Sequence, residues 1–254
     1  MMLGPPARCM APSTPPPPAS ALFAALTIAS ACILTISPWS SARVTVIAAP
    51  ASKLILSTST PSSTAGTRFP FSVTAQDPYG NTDTNYAGTV HISSSDASPG
   101  VVLPANSTLT NGARSFSATL DRAGTQTISA VDTAKAGIAG SLSVQITPAA
   151  AASLRLTVPS TAVVAQPFTV TVTLTDRFGN VATGYRGTVA FNSSDLLAMQ
   201  LGKMPADYGF TAADAGVHTF SATLMTPPSQ TITAFDTANG SLSATSQPIA
   251  VSPI

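Results

Sequence analysis

Apolar and polar residues alternate along several short stretches of this chain. Every second residue is apolar within 71–76, 115–120 and 142–146, and the same pattern returns at 168–174 and 220–224. A period of two places successive side chains on opposite faces of a strand, and a single apolar face is typical of an antiparallel sheet that covers a core. The pattern therefore predicts an all-β protein.

The first half of the chain divides into eight short predicted strands. They span 52–58, 68–77, 88–94, 100–104, 107–111, 113–120, 124–132 and 138–147. For one of the short middle segments, a turn is the alternative to a strand. Seven or so strands in about 100 residues is the spacing of a two-sheet sandwich.

The second half of the chain repeats the first. DPYGNTDTNYAGTVHISSSD at 77–96 returns as DRFGNVATGYRGTVAFNSSD at 176–195, and the offset grows from 99 to about 104 further along. Small loop insertions therefore separate two collinear copies. A period near 100 residues is domain-sized, so we predict two tandem sandwiches at 50–148 and 149–254.

The repeated DPYGN and DRFGN stretches have the composition of turns rather than of a catalytic motif. We expect Asp77 to accept hydrogen bonds from the backbone that follows it, Gly80 to take positive φ, and Asn81 to tolerate the left-handed region. Tyr86 and Tyr185 are expected to begin the next strand as apolar anchors whose hydroxyls reach the rim. The stretch repeats because the fold unit repeats.

Composition and charge narrow the function classes. The chain has 254 residues with 11 Lys and Arg against 10 acidic residues, all of them Asp. From Arg43 onward the charges balance at zero, so no basic patch is available for nucleic-acid phosphates. Cys9 and Cys32 both precede Arg43, so the rest of the chain has neither a disulfide nor thiol chemistry.

Residues 1–42 are organised like a secretory signal peptide. Arg8 precedes an apolar stretch at 19–36, and small residues follow it up to Ala42. We predict cleavage after Ala42, which makes Arg43 the first residue of the mature chain.

Two alternatives remain for this leader. Its apolar run of 18 residues is the short limit of a membrane span, which leaves an uncleaved anchor open. The Ala29–Cys32 tetrapeptide resembles a lipoprotein cleavage box, which leaves lipidation of Cys32 open. The cleaved signal peptide and both alternatives export the rest of the chain. Contact with the membrane is expected only through this segment, if it stays uncleaved.

Several motifs together carry a family resemblance. D-x-[YF]-G-N, Y-x-G-T-V, F-S-A-T-L and Q-T-I-[ST]-A-x-D-T occur in both copies, and the set resembles bacterial immunoglobulin-like domains of the invasin and intimin type, with overlap to a filamin-like pattern. The resemblance implies immunoglobulin-like sandwiches in extracellular stalks, adhesin spacers or accessory modules. Where the first copy has Ala123-Gly124, the second has Pro227-Pro228, so we expect a stiffer, differently shaped hairpin there.

A search for catalytic residues finds two histidines. His91 alternates with Val90 and Ile92, so we expect it to face solvent, and we assign His218 to the polar face of the strand that carries Phe220. Neither has a second His, a Cys or a Glu at ligand spacing, so both are expected to be inert. No nucleophile elbow, phosphate loop or HExxH motif is present, and we predict no enzyme activity and no cofactor.

Aspartates are the one set of candidate metal ligands. The candidates for calcium are Asp77, Asp83, Asp96, Asp132, Asp176, Asp195 and Asp236. Their oxygens have the right hardness, but they are spread singly, and Ala182 stands where the first copy has Asp83. Turn formation is therefore the expected role, without a metal.

The junction at 147–154 contains no long flexible tract. Pro148 fixes its own φ and biases Thr147 toward extended backbone, so we expect the sandwiches to be joined end to end.

The function predicted is an exported, non-enzymatic spacer or adhesion-type module, with other proteins or glycans at the cell surface as partners. The alternative is a carbohydrate- or protein-binding accessory module of a larger extracellular system. Carbohydrate binding favours exposed aromatic residues. The candidates are few, because the one Trp, Trp39, lies in the leader and only Tyr79, Phe178 and Tyr208 lie in loops.

Overall fold

The structure is a computed structural model that describes residues 47–254, and the predicted leader at 1–42 lies outside the described residues. Nearly all of the regular structure in this part is β-strand, as the alternating pattern predicts. Within the same residues, no helix has the length and apolarity needed to cross a membrane.

The first repeat forms two facing sheets. Its strands are β1 (Lys53–Ser57), β2 (Ser62–Thr64), β3 (Arg68–Gln76), β4 (Thr89–Ser94), β5 (Ser107–Thr108), β6 (Ala113–Thr119), β7 (Gly124–Asp132) and β8 (Ala139–Thr147). The sheet orders are β1-β3-β6 and β2-β8-β7-β4-β5, and only β2 runs parallel to its neighbour, β8. This is the strand order of an immunoglobulin-like sandwich, which confirms the predicted fold class.

The second repeat follows the same order with more interruptions. Its elements are β9 (Ser153–Thr157), β10 (Thr161–Val163), β11 (Pro167–Thr175), β12 (Thr188–Ser193), α1 (Leu196–Gln200), β13 (Tyr208–Gly209), β14 (Val217–Thr223), β15 (Ser229–Gln230), β16 (Ile232–Asp236), β17 (Ser243–Thr245) and β18 (Ile249–Ser252). Three sheets result, with orders β14-β11-β9, β13-β12-β16-β17 and β10-β18-β15.

Two of the interruptions, helix α1 and the split around Ser246, lie where the second copy has extra or different residues, whereas the split at Thr231 lies at a threonine that both copies share. Helix α1 follows β12 in the longer loop, with the Asp195 side chain accepting from the Ala198 N–H at its start. The last two strands are each split, at Thr231 and around Ser246, whose hydroxyl accepts a hydrogen bond from the Ile232 N–H at 3.0 Å. The second sandwich therefore keeps the strand order of the first although two of its strands are divided.

Two hydrophobic clusters lie between the sheets. The buried members of the first run from Leu54 to Ile146, and those of the second run from Leu154 to Val251. In β3 the buried and less buried residues alternate as predicted, with Val73 and Ala75 fully buried. Residues Pro50–Ile254 together form one compact unit, so the division into domains at 148 and 149 stays a prediction.

The predicted strands of the first repeat agree with the structure within a few residues. The predicted strand at 100–104 is reduced to an isolated bridge between Val102 and Thr119, and 107–111 is reduced to β5. The sequence pattern missed β2, because three polar residues at a sheet edge carry no apolar alternation.

Candidate functional site: the joint between the repeats

The turn after β3 is built on one carboxylate. Oδ1 of Asp77 accepts hydrogen bonds from the N–H groups of Tyr79 at 2.9 Å and Asn81 at 2.8 Å, and Gly80 has φ of +91°. These findings confirm the predicted turn. The role expected for Asn81 was wrong: its φ is not positive, and instead its side-chain amide donates to Oδ2 of Asp77 at 2.9 Å.

The turn after β11 has the same internal bonds. Oδ1 of Asp176 accepts from the N–H groups of Phe178 and Asn180, each at 2.9 Å, and Gly179 has φ of +86°. Oδ2 of Asp176 also accepts from the N–H of Ala149 at 2.9 Å, so this carboxylate also holds the junction segment. Burial acts to raise the pKa of Asp176, but the hydrogen bonds from Asn180, Ala149 and Phe178 outweigh it and lower the pKa.

Phe178 reaches from this turn into the other repeat. Its side chain packs against the hydrophobic cluster of the first sandwich. The ring occupies the place where a Cβ on Gly66 would stand, and Gly66 has φ of +74°. Glycine is therefore required at position 66 both by the backbone conformation and by the close approach of the ring. The Arg177 guanidinium lies 4.5 Å from the same ring.

Asn180 binds the first repeat through its side-chain amide. Oδ1 accepts from the N–H of Ala123 at 2.8 Å, and Nδ2 donates to the carbonyl oxygen of Asp121 at 2.7 Å. A second bond from Nδ2 goes to Oδ2 of Asp176 at 2.9 Å. One amide thus connects the turn of the second repeat to the segment after β6, and its oxygen and nitrogen are each matched to a partner of the correct type.

These contacts join specific ends of the two sandwiches. In the first repeat, Ala65 donates to the carbonyl of Thr147, the last residue of β8, and Gly66 donates to that of Leu120. In the second, Ala152 donates to the carbonyl of Thr175, which directly precedes the 176–180 turn. The joint therefore connects the end where the chain leaves the first sandwich to the end where it enters the second.

The remaining candidate aspartates also hold backbone rather than forming a ligand cluster. Asp96 accepts from the N–H groups of Asp121 and Arg122, each at 2.8 Å, and its counterpart Asp195 accepts from those of Met225 and Thr226. Burial acts to raise the pKa of Asp96 and of Asp195, but the hydrogen bonds that each carboxylate accepts outweigh burial, and the pKa of each is lowered. In the described part of the chain, no three His, Cys, Asp or Glu residues come together as a metal site.

Each anchoring tyrosine donates to an aspartate across the sandwich. The Tyr86 hydroxyl donates to Asp132 and that of Tyr185 to Asp236. Burial, with the hydrogen bond to the carboxylate, raises the pKa of both tyrosines. Both tyrosines pack on the hydrophobic cluster of their own repeat, as predicted, but they precede the next strand, which begins at Thr89 or Thr188, rather than beginning it. The partner of each hydroxyl is a buried carboxylate.

His91 and His218 differ in their exposure to solvent and in their contacts. His91 is exposed, as predicted, with Nδ1 2.8 Å from Oδ1 of Asn106. The assignment of His218 to the polar face was wrong, because a residue two positions before Phe220 shares the face of Phe220. His218 is half-buried, stacks on Tyr208 with ring centroids 4.0 Å apart, and has Nδ1 2.6 Å from Oδ1 of Asp214.

Asp214 is the centre of this group. Hydrogen bonds from the backbone and side chain of Thr211, with that from His218, lower the pKa of Asp214. The recorded contacts of His218 are this carboxylate and aromatic rings. The group therefore holds the loop before β14 against the sandwich.

Comparison with known proteins gives structural neighbours only. No family model matches the chain, and no curated protein matches it. The Escherichia coli adhesin FdeC is similar at 17% identity and a TM-score of 0.44, over 82% of this chain and 68% of that one. Invasin, a bacterial integrin-binding protein, is similar at 16% identity and a TM-score of 0.42, over 82% of this chain and 41% of that one.

An enzyme is also among the neighbours. Bacteroides uniformis beta-glucuronidase 3 is similar at 14% identity and a TM-score of 0.31, over 79% of this chain and 25% of that one. The adhesins belong to the group that the sequence motifs resemble. The immunoglobulin-like assignment itself rests on the strand order and register described above.

Proposed function

We propose that this chain is an exported, non-enzymatic spacer of two immunoglobulin-like domains, at 50–148 and 149–254, serving as an adhesion-type module at the cell surface. Its partners there are other proteins or glycans. The observation that carries the proposal is the joint: Phe178 packs on the first hydrophobic cluster while Asn180 binds Asp121 and Ala123. A spacer holds its two ends a constant distance apart only if its domains keep a fixed relative orientation, and such a joint would fix that orientation.

The hydrogen bonds and the ring contact restrict the joint in complementary ways. The two amide bonds of Asn180 fix its position along the first sandwich, since each needs good donor and acceptor alignment. The ring of Phe178 adds burial, and the bond from Ala149 to Asp176 shortens the free part of the junction. Together they oppose both bending and twisting.

A distance measurement between spin labels tests this proposal. From Arg43 onward the chain has no Cys, so Ser143→Cys and Ser243→Cys place one label on each repeat at exposed positions. We expect a single narrow distance distribution. Phe178→Ala should broaden it, whereas Tyr79→Ala, in the matching turn of the first repeat, should leave it unchanged.

A broad distribution in the parent protein would overturn the spacer role. Export is tested separately by cell fractionation and intact mass, and the expected product lies outside the cytoplasm and begins near Arg43. A full-length mass would support the anchor, and a lipid adduct on Cys32 would support the lipoprotein.

A further inference from the structure

An open groove of about 600 Å³ lies along the edge of β6 in the first repeat. Its lining includes Arg68, Pro104, Ser107, Arg114, Phe116 and Ser117. The charged side chains of this lining are both arginines, and no aspartate is among the lining residues. The groove is therefore positively charged, next to an aromatic ring.

The second repeat fills the corresponding place with an aromatic side chain, that of Tyr208. Ser107 pairs with Val90 on β4, and Tyr208 pairs with Val189, which is the counterpart of Val90 on β12. Position 107 of the first repeat therefore corresponds to position 208 of the second. The large ring of Tyr208 stands where the first repeat has only a serine.

The other members of the two sites correspond in the same way. Arg114 pairs with Val73, and His218 pairs with Val172, which is the counterpart of Val73. In the second repeat the Tyr208 ring stacks on His218, and the Asp214 carboxylate binds its Nδ1. Four residues before Arg114 the first repeat has an uncharged threonine. It thus lacks both the ring and the carboxylate.

Arg114 is suited to binding both missing groups. Its guanidinium lies 5.8 Å from the Phe116 ring, and one nitrogen donates to the carbonyl of Thr108 at 3.0 Å. This leaves further N–H groups to pair with a carboxylate, and a planar guanidinium also stacks on aromatic rings. An arginine in place of His218 makes the cation permanent.

The edge of β6 adds backbone partners for a peptide. Thr119 exchanges two hydrogen bonds with Val102, at 3.0 and 2.9 Å, so its backbone groups point away from β3. By strand alternation the backbone groups of Ser117 and Ser115 point the same way. Pro70, which has no N–H, is paired with Ser117, in keeping with this register. An extended segment can therefore add to this edge.

We propose that this groove binds an extended acidic peptide segment in which an aromatic ring lies near a carboxylate. The segment adds as a strand beside Ser115 and Ser117, its carboxylate pairs with Arg114, and its ring occupies the space above Ser107. A peptide is favoured over a glycan because a tyrosine ring and an aspartate carboxylate fill the corresponding site of the second repeat, and because the β6 edge offers strand pairing. The inference goes beyond the spacer role, since no lining residue belongs to the joint.

The test uses the segment that carries the ring and the carboxylate of the corresponding site. A labelled synthetic peptide of residues 204–214, MPADYGFTAAD, is titrated with the full chain and followed by fluorescence anisotropy. We expect saturable binding that weakens with added salt. Arg114→Gln should weaken it at least about tenfold, as expected when a charge-assisted pair is lost, and Ser107→Tyr should abolish it by filling the groove. Arg155→Gln, on the exposed face of β9, is the matched control and should leave it unchanged.

Four results would overturn the proposal. They are no saturable binding, equal binding by the Arg114→Gln or Ser107→Tyr chain, equal binding of a peptide with Asp214→Asn, and displacement of the peptide by oligogalacturonate at equal or lower concentration. The last would assign the groove to acidic glycans instead. None of these results alters the spin-label distance, so the groove and the spacer role fail independently.

Discussion

The two copies of one turn perform different tasks. DPYGN and DRFGN share the same carboxylate-to-backbone bonds and a glycine with positive φ. Yet Tyr79 is 56% exposed, whereas Phe178 packs on the neighbouring sandwich and Asn180 binds its backbone. The motif therefore encodes a turn, and the surface opposite it decides whether that turn becomes a joint.

The receiving surface is present in the first repeat and altered in the second. Gly66 and Ala123 correspond to Ala165 and Pro227. Ala165, with φ of +59°, carries a Cβ at the position where Gly66 of the first repeat leaves space for the Phe178 ring. Pro227 has no N–H that could donate to an asparagine, as Ala123 does in the first repeat. The second repeat therefore does not have, at Ala165 and Pro227, the surface with which the first repeat receives a turn of this kind.

Acid should produce the largest loss of stability and affect both repeats. Hydrogen bonds outweigh burial and lower the pKa of aspartates in each of them, including Asp132 and Asp236. A lowered folded-state pKa contributes stability that is present above the unfolded value of about 3.9 and is lost as pH falls through the folded value. Thermal unfolding at pH 7, 4 and 2.5 should show a steep decrease below about pH 4. An unchanged melting temperature at pH 2.5 would mean that the carboxylates are not held this way.

Gly66→Ala should be the most damaging single change at the joint. The new Cβ meets the Phe178 ring and is strained at φ of +74°, so we expect a loss of about 3 kcal/mol in unfolding free energy. The matched change in the second repeat, Ala165→Gly, should be neutral or stabilising by up to about 1 kcal/mol, because it relieves a left-handed alanine. Denaturant unfolding measures both. Equal effects would show that the two positions are alike.

Phe178→Ala should cost about 2 kcal/mol, less than a fully buried ring because the side chain is only half-buried. Tyr79→Ala should change the unfolding free energy by less than about 0.5 kcal/mol, as is usual for an exposed residue. The two variants are compared by thermal unfolding under identical conditions. A Tyr79 effect as large as that of Phe178 would mean that the first turn is also docked.

Asn180→Ala should cost about 1–2 kcal/mol, since two bonds to the first repeat and one to Asp176 are lost. Asn81→Ala loses only the bond to Asp77 among its recorded side-chain contacts, and about 0.5–1 kcal/mol is expected. The difference between the two losses isolates the contribution of the joint. If it is zero, the interdomain bonds do not hold in solution.

The fold and the turns were predictable because alternation and internal repetition are local properties of the sequence. His218 could have been placed correctly by the same rule, since it shares the face of Phe220. The joint could not be predicted from the sequence, because DPYGN and DRFGN have nearly the same residues. Only the three-dimensional position of Gly66 and Ala123 shows which of the two turns is docked. The β6 groove became visible only once the strand register aligned Ser107 with Tyr208.

Small-angle scattering on the chain from Arg43 onward tests the central claim, an end-to-end joint, most directly. Strands of eight to ten residues at roughly 3.3 Å each, with the loops at both ends, give sandwiches about 40 Å long, and a rod of two in line, about 80 Å long, has a radius of gyration of about 23 Å. A single compact globule of the same length would have about 17 Å. We predict the larger value, falling or becoming heterogeneous when Phe178 and Asn180 are both changed to Ala. A radius of about 17 Å for the parent chain would contradict the joint and the spacer role that depends on it.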